Sequence, residues 1–352
     1  MEFKEVIASL VRDNATDVFI VVGKPLTYKK HGKMKCLSEN IIRPSDAQEM
    51  IKTIYAYAGN REMKNFEETG DDDFAFAIPG MARFRVNIYK QRGSWAAVLR
   101  IITFHIPEPA SLGIKEEVMR VAGLEKGLVL VTGSAGSGKS TTLASIIDRI
   151  NSTRENHIIT LEDPVEFLHP HKKGIVSQRE ISCDTENFLT ALRATLRQSP
   201  DVVLIGELRD YETIEIAMTA AETGHLILSS LHTVGAANAI DRIVDSFPAS
   251  QQQQILLQLS MVLKTVISQE LVPKVDGTLV PVFEIMTMTP AIKNLVREGK
   301  VHQIDNVIAT SAVTDGMISM DKSLLELYKA QQITRETALM HAMNPEMMMR
   351  KL

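Results

Sequence analysis

The stretch GLVLVTGSAGSGKSTTLASIID, residues 127–148, decides the fold class of this chain. An apolar run of strand type is followed by a glycine-rich turn, and then by apolar positions at helical spacing. The turn matches the pattern G-x-x-x-x-G-K-[ST] in full, and it stands between a strand and a helix, as this pattern requires. The sequence therefore predicts a phosphate-binding loop from Gly133 to Ser140, inside an α/β domain.

The composition of this loop explains how it would hold a nucleotide. Glycines let the backbone approach phosphate without a Cβ clash, while the loop N–H groups and the helix N-terminus supply partial positive charge. Lys139 would reach the β- and γ-phosphates of ATP, and Ser140 would hold Mg²⁺. A chance match in a glycine- and serine-rich turn is the alternative. The residues expected to bind nucleotide are Gly133, Ser134, Ala135, Gly136, Ser137, Gly138, Lys139, Ser140 and Thr141.

Three further short strands follow the loop, separated by helix-like stretches: HIITL (157–161), DVVLI (201–205) and HLILSSL (225–231). Their alternation with helices predicts a mostly parallel sheet that is covered on both faces. Polar residues follow each strand at its C-terminal end, the edge of an open α/β sheet where ligands bind. We therefore expect several polar groups to converge with the glycine-rich loop at one edge.

Acidic side chains at this edge are candidates for hydrolytic chemistry, because ATP hydrolysis needs carboxylates that assist Mg²⁺ and activate water. The segment LEDPVEF supplies Glu162, Asp163 and Glu166, and the segment GELRD supplies Glu207. Glu207 is the expected second metal ligand, since Asp201 stands at the start of its strand, on the opposite edge. Spacing alone does not separate Glu162 from Glu166 as the water activator. A helix-capping or surface role is the alternative for these acids.

Two histidines, His225 and His232, flank the last of these strands. Their separation of seven positions places them at opposite ends and on opposite faces, so they cannot form a two-histidine metal site. His232 is a candidate sensor of the γ-phosphate, and a structural role is the alternative.

The first hundred residues follow another pattern, with an amphipathic helix at the start and strands expected at 17–22, 74–78, 82–90 and 95–102. This pattern predicts a compact α+β domain. Pro107 and Pro109 cannot extend a strand or a helix, so they mark a linker. The predicted division is an N-terminal domain at 1–102, a linker at 103–118 and an ATPase domain at 119–352. The last third is expected to be largely helical, including 250–271.

Basic residues on one predicted strand could serve the nucleotide from outside its own domain. In ARFRVNIYKQR (82–92), alternation puts Arg83 and Arg85 on one face and apolar residues on the other, with Arg92 just beyond. Such arginines could neutralise phosphate charge in the same subunit or in a neighbour. The alternative is a solvated strand face.

Composition limits the classes of partner. The chain is 45% hydrophobic with a formal net charge of −4, and it lacks the dense basic excess of a nucleic-acid binder. Its two cysteines form no motif. No run approaches the roughly 18–20 apolar residues that span a bilayer, and the N-terminal helix lacks the apolar core of a signal peptide. We expect a cytoplasmic protein without direct membrane insertion that meets the membrane through a partner.

Together these motifs resemble the type IV pilus retraction ATPases, the PilT and PilU branch of the type II and type IV secretion ATPase superfamily. The resemblance covers essentially the whole chain and is carried by TDVFIVVGKP, GMARFRVNIYKQRG, GSAGSGKSTTLA, HIITLEDPVEF, GELRD, AETGHLILSSLHT and AIKNLVREGK. It implies a PAS-like N-terminal domain followed by a RecA-like P-loop ATPase domain. It also implies Mg²⁺-dependent ATP hydrolysis by a homohexamer that drives pilus retraction, and hence twitching motility.

The resemblance implies roles for individual residues and partners. It gives Glu166, Glu207 and His232 catalytic roles and His225 a supporting one. With the residues already named, the predicted catalytic set is Lys139, Glu162, Glu166, Glu207 and His232, and the predicted nucleotide contacts from the N-terminal domain are Arg83, Arg85 and Arg92. The implied partners are an inner-membrane pilus platform protein and a paralogous pilus ATPase.

Several details favour the retraction branch. Residues 291–298, AIKNLVRE, resemble the retraction motif AIRNLIRE, although Lys293 keeps the charge of the arginine without its planar fork. The chain also shows no four-cysteine zinc module and no long N-terminal extension. Two alternatives stay open: a pilus-extension or secretion ATPase of the same superfamily, and a RecA-like nucleic-acid translocase. A nucleotide-gated scaffold without turnover is a third.

Overall fold

The computed structural model describes residues 3–30, 32–102, 106–311 and 316–352. The chain divides into two compact units. The first unit comprises Met1–His105 with Val165–Leu168, and the second comprises Ile106–Pro164 with His169–Leu352. Residues 103–105, where the predicted linker begins, lie outside the described residues. The predicted boundaries at 1–102, 103–118 and 119–352 stay a prediction.

The first unit is built on one antiparallel sheet with the strand order β3-β2-β1-β6-β5-β4. Its combination of helices with an antiparallel sheet confirms the α+β prediction for this part of the chain. The elements are α1 (Phe3–Arg12), β1 (Asp17–Ile20), β2 (Pro25–Lys30), β3 (Lys33–Ile41), α2 (Pro44–Tyr57), α3 (Lys64–Thr69), β4 (Asp71–Ile78), β5 (Ala82–Gln91) and β6 (Ser94–Ile102).

Strand β5 shows the predicted alternation. Phe84, Val86 and Ile88 are fully buried in the core of the first unit, while Arg83 and Arg85 on the other face are partly exposed. Strands β2 and β3 were not predicted. Strand β3 is exposed along its whole length, so its sequence carries no apolar alternation that would reveal it.

The second unit holds a seven-stranded sheet with helices on both faces. Its elements are α4 (Glu116–Met119), β7 (Gly127–Thr132), α5 (Lys139–Thr153), β8 (His157–Glu162), β9 (Ile175–Glu180), α6 (Phe188–Thr195), β10 (Val202–Ile205), α7 (Tyr211–Glu222), β11 (Leu226–Leu231), α8 (Ala236–Val244), α9 (Ala249–Val262), β12 (Leu263–Pro273), β13 (Leu279–Thr287), α10 (Pro290–Arg297), α11 (Ile304–Thr310), α12 (Met320–Lys329), α13 (Arg335–Met340) and α14 (Pro345–Met349). Short 3₁₀ helices span Pro109–Leu112, Arg120–Gly123 and Val301–Gln303.

The strand order of this sheet is β13-β12-β7-β11-β10-β8-β9, and only the pairing of β12 with β13 is antiparallel among these strands. The predicted mostly parallel α/β sheet is thus confirmed. Strand β7 is buried throughout: Leu128 and Leu130 pack in one core layer, and Val129 and Val131 pack in the layer on the α5 side. Burial on both faces explains its continuous apolar sequence.

The prediction of a helix over 250–271 is wrong in its second half. Helix α9 ends at Val262, and strand β12 begins at Leu263 and runs to Pro273. Strand β12 pairs with β7 and β13 and is largely buried, so its apolar residues follow no period that separates a strand from a helix. Strands β9 and β13 were also not predicted.

The described helices are all too short or too polar to cross a membrane.

Candidate nucleotide-binding site

The glycine-rich loop connects the end of β7 with the start of α5, as predicted. Three of its glycines have backbone angles that other residues rarely adopt: φ is 143° at Gly133, 78° at Gly136 and 88° at Gly138. The loop is therefore wound into a tight turn at the C-terminal edge of the parallel strands.

Two of these glycines are also required by a close neighbour. A Cβ atom on Gly133 would lie 2.1 Å from the backbone oxygen of Gln269 in β12, and one on Gly138 would lie 2.9 Å from the Nε2 atom of the same residue. The backbone of β12 is thus packed directly against Gly133, which leaves no space for a side chain there, and the Gln269 side chain is packed against Gly138.

Lys139 lies over the loop rather than in solvent, and it is only 7% exposed. Its Nζ atom donates hydrogen bonds to the backbone oxygens of Gly133, at 2.9 Å, and of Ser134, at 2.8 Å. The same atom lies 3.4 Å from Nδ1 of His232. The ammonium group is therefore held at the mouth of the loop, where it can meet an incoming phosphate.

Several hydroxyl residues lie in the glycine-rich loop or directly beside it in the chain. The Oγ1 atom of Thr132 and the Oγ atom of Ser137 are buried and have no hydrogen-bond partner among the described residues. Ser140 and Thr141 are half-buried in the first turn of α5. Ser140 and Thr141 keep part of their surface accessible, so their hydroxyls can meet a bound polyanion, whereas the Thr132 and Ser137 hydroxyls have no accessible surface.

Glu207 lies just after β10 and faces two basic side chains. One of its carboxylate oxygens forms an ion pair with Arg209, and the other lies 3.4 Å from Nε2 of His232. The Glu207 side chain is 15% exposed, against 64% for Arg209 and 56% for His232. The hydrogen bond that Arg209 donates to the Glu207 carboxylate holds the pKa of Arg209 above its ordinary value.

The backbone before Glu207 is held in place by the neighbouring strands. Ser230 of β11 donates from its Oγ atom to the oxygen of Gly206 at 2.6 Å, and the Gly206 N–H group donates to the oxygen of Leu161 at 2.7 Å. Strands β8, β10 and β11 are thus tied together where they end, which fixes the position of Glu207.

Glu162 ends β8 on the side of the sheet that α5 covers. Its Oε1 atom accepts hydrogen bonds from Oγ1 of Thr160, at 2.6 Å, and from Nε2 of Gln178 in β9, at 3.2 Å. Two donors stabilise the carboxylate and fix its orientation. The next residue, Asp163, is exposed.

The other predicted site residues belong to the first unit, and their approach to a nucleotide stays a prediction. Glu166 lies in the segment Val165–Leu168 and is exposed. Arg85 donates to both carboxylate oxygens of Asp73, at 3.3 and 2.9 Å. Arg92 is exposed in the turn after β5, with φ of 49°. Arg92 stands nine positions after Arg83, or about 30 Å along an extended strand, so the arginines cannot all contact one phosphate group of one nucleotide.

His225 lies at the other end of β11 from His232, as predicted. Its Nδ1 atom is 3.0 Å from the backbone oxygen of Ala220, at the end of the sheet away from the loop. In the described part of the chain, no group of three or more His, Cys, Asp or Glu side chains is placed to hold a metal ion.

Sequence reasoning missed two polar residues of this site, Arg209 and Gln269. Arg209 stands two positions after Glu207 in the segment GELRD, so the signal was present in the sequence. Gln269 is 2% exposed, and the two ends of its amide group contact Ser137 of the loop and Thr142 of α5. It was hidden because its segment was predicted to be a helix of the core.

The sequence matches the type II/IV secretion system protein family over residues 2–344. It is 43% identical over 346 residues to the type IV pilus retraction ATPase PilT of Pseudomonas aeruginosa, covering 98% of this chain and 99% of PilT. It is 38% identical over 343 residues to the type IV pilus ATPase PilU of the same organism, covering 97% of this chain and 89% of PilU.

Among solved structures, the chain is similar to a crystal structure of the pilus retraction motor PilT with bound ADP. The two share 41% sequence identity and a TM-score of 0.89, and the match covers 99% of each chain.

Proposed function

The chain belongs to the type II/IV secretion system protein family, and from this membership we propose that it is the ATPase motor of type IV pilus retraction. It hydrolyses ATP at the glycine-rich loop of the second unit and uses the energy to drive pilus retraction, and hence twitching motility. The family prediction made from the sequence motifs agrees with the comparisons over nearly the whole chain.

One observation carries the assignment to the described site. The ammonium group of Lys139, the carboxylate of Glu207 and the ring of His232 come from three separate segments, yet they meet at the mouth of one loop. This arrangement combines a phosphate cradle, a cation and a carboxylate, which phosphoryl transfer requires.

ATP binding would use the loop backbone and Lys139. The loop N–H groups and the N-terminus of α5 bind the phosphates, while Lys139 exchanges its backbone acceptors, Gly133 and Ser134, for phosphate oxygens. Mg²⁺, when bound by Ser140 and Glu207 together with phosphate oxygens, neutralises phosphate charge. The same carboxylate also accepts from Arg209, so nucleotide binding would rearrange that ion pair.

Water activation falls to a carboxylate of the segment 162–166. Glu162 shares a unit with the loop and is oriented by Thr160 and Gln178, which supports its role; Glu166 is favoured by the family resemblance. The substitutions Glu162→Gln and Glu166→Gln separate them, because loss of the activating group lowers kcat while nucleotide affinity changes little.

The motor would work as a homohexamer at the cytoplasmic face of the inner membrane. Arg83, Arg85 and Arg92 would contact nucleotide from the first unit, in the same subunit or across a junction. Loss of the γ-phosphate releases the contact of His232 and that of the arginine that reaches this phosphate, and the two units then rotate about the linker. The ring would act on the pilus platform protein, alone or with a paralogous ATPase, and PilU is a relative of that kind.

Steady-state release of phosphate by the purified chain tests the proposal. We expect Lys139→Ala and Glu207→Gln each to lower kcat/KM on the order of a hundredfold or more, because each removes charge stabilisation from phosphoryl transfer. Lys173→Ala, at an exposed lysine of the same unit, is the matched control and should keep wild-type turnover. Full turnover in either site variant would contradict the proposal, and turnover by the wild type only with DNA would favour a nucleic-acid translocase.

A further inference from the structure

We propose that Gln269 of β12 is a positioning residue of the phosphate-binding loop, which aims the loop backbone at the nucleotide. The inference rests on the proposed function, since it concerns the same site. It assigns a role in nucleotide binding to a strand that lies outside the glycine-rich motif.

Gln269 uses one end of its side-chain amide on the loop and the other on helix α5. Its Nε2 atom donates to the backbone oxygen of Ser137 at 2.7 Å, and its Oε1 atom accepts from Oγ1 of Thr142 at 2.7 Å. Ser137 lies near the end of the loop and Thr142 lies in the first turns of α5. One buried side chain therefore ties the loop to the helix whose N-terminus faces the phosphate.

The bond to Ser137 fixes the orientation of a peptide group. In a trans peptide the C=O group and the following N–H group point in opposite directions. The peptide bond between Ser137 and Gly138 is trans, as are all peptide bonds of the described residues except Asp163-Pro164. When the Ser137 oxygen is held against the Gln269 amide, the N–H group of Gly138 therefore points away from that amide. This is the direction from which a phosphate oxygen would accept it.

The packing around Gln269 shows that the contact is built into the fold. A Cβ atom on Gly138 would lie 2.9 Å from Nε2 of Gln269, so the glycine leaves the space that the amide occupies. Ser268, the residue before Gln269 in β12, accepts a hydrogen bond at 2.9 Å from the N–H group of Gly235, which lies in the loop that follows His232. Consecutive residues of β12 thus hold the phosphate loop and the His232 loop, and fix their relative position.

The expected defect concerns nucleotide binding more than the chemical step. The loop contacts the phosphates in the ground state and in the transition state alike, so its misalignment weakens uniform binding. We expect Gln269→Leu to raise the Kd of a fluorescent ADP analogue and the KM for ATP about tenfold, while kcat changes less than about threefold. Gln258→Leu, on the half-buried face of α9, is the control and should leave both constants at their wild-type values.

A second variant separates positioning from a general loss of packing. Gln269→Glu keeps the side-chain volume, but the carboxylate cannot donate to the Ser137 oxygen. The protonated acid can donate, and burial favours that form. We therefore expect the affinity of Gln269→Glu for the ADP analogue to be about tenfold weaker than wild type at pH 7.5, and to recover at least about fivefold relative to wild type at pH 5.5.

The second hydrogen bond has its own test. Thr142→Ser keeps the hydroxyl donor and should bind the ADP analogue like the wild type, whereas Thr142→Val should weaken binding. Circular dichroism confirms that each variant is folded. Unchanged nucleotide affinity in Gln269→Leu, or a pH-independent defect in Gln269→Glu, would overturn the inference. A wild-type chain that neither binds nor hydrolyses ATP would instead overturn the proposed function.

Discussion

Gly133 and Gly136 belong to the same loop but differ in their surroundings. Both have positive φ, whereas a Cβ atom would lie 2.1 Å from a backbone oxygen at Gly133 and would meet nothing within 4 Å at Gly136. We expect Gly136→Ala to cost about 1–2 kcal/mol in free energy of unfolding, from the backbone angle alone. Gly133→Ala should cost at least about 2 kcal/mol more, because β12 must move, and nucleotide affinity should fall with it.

Urea unfolding of both variants, followed by circular dichroism, measures this difference. Equal destabilisation by the two substitutions would show that β12 does not press on the loop at Gly133.

His169 is a buried histidine whose pKa is lowered to about 4 by burial. The unfolded chain binds a proton near the ordinary value of 6.5 while the folded chain stays neutral, so stability is present above pH 6.5 and is lost as pH falls towards 4. At 1.36 kcal/mol per pKa unit, the loss is on the order of 3 kcal/mol. We expect His169→Asn to flatten the dependence of the urea midpoint on pH between 7 and about 4.5.

The exposed histidine His302 provides the control, since His302→Asn should keep the wild-type pH dependence. A steep loss of stability that persists in His169→Asn would assign the effect to other groups.

At the scale of elements, strands β12 and β13 make stabilising contacts, although neither strand belongs to one of the sequence motifs. Glu284 of β13 is 5% exposed, and its Oε1 atom accepts the N–H group of Ala236 at the start of α8, at 2.8 Å. The N–H group of Met320, at the start of α12, also bonds to this carboxylate. One buried acid thus joins two helix N-termini, whose partial positive charge suits a carboxylate.

Burial raises the pKa of Glu284 despite these donors. The folded chain therefore binds this proton more readily than the unfolded chain, and the contribution to stability is fully present below pH 4.5 and is lost as pH rises through the folded pKa. We expect the free energy of unfolding of Glu284→Gln, relative to that of the wild type, to increase as pH rises from 4.5 to about 8, because only the wild type loses stability on ionisation of this group.

Urea titrations at several pH values measure this trend, with the exposed Glu155→Gln as the control. A difference between Glu284→Gln and wild type that does not vary with pH would contradict the direction given by burial.

At the scale of the whole molecule, the charge of the chain bears on its partner. The formal net charge is −4, and the sequence shows no clustered basic and aromatic residues of the kind that bind single strands. We expect phosphate release by the purified chain to be unchanged by single- or double-stranded DNA, and the active species to have the mass of six chains. Mass photometry alongside the ATPase assay measures both, and stimulation by DNA of more than about twofold would point to a translocase.

The sequence by itself determined the fold class of the second unit and the family. A strand, a glycine-rich loop and a helix in immediate succession can be identified locally, because the phosphate-binding loop is continuous in the chain. Glu162, Glu207 and His232 were also predicted to lie at its edge of the sheet, since parallel strands bring their C-terminal ends together. Burial removed other signals: β12 is largely buried on both faces, so its apolar residues show no alternation that separates a strand from a helix.

Only the tertiary structure decided what surrounds the loop. Gln269 lies 132 positions from the backbone oxygen that it holds, and no local pattern reports a contact over that separation. The need for glycine at Gly133 likewise follows from the backbone of β12, which reaches the loop only through strand pairing. The residues of the loop are consecutive in the chain, so its chemistry can be identified locally. Close packing depends instead on which strands become neighbours, and that depends on the whole chain.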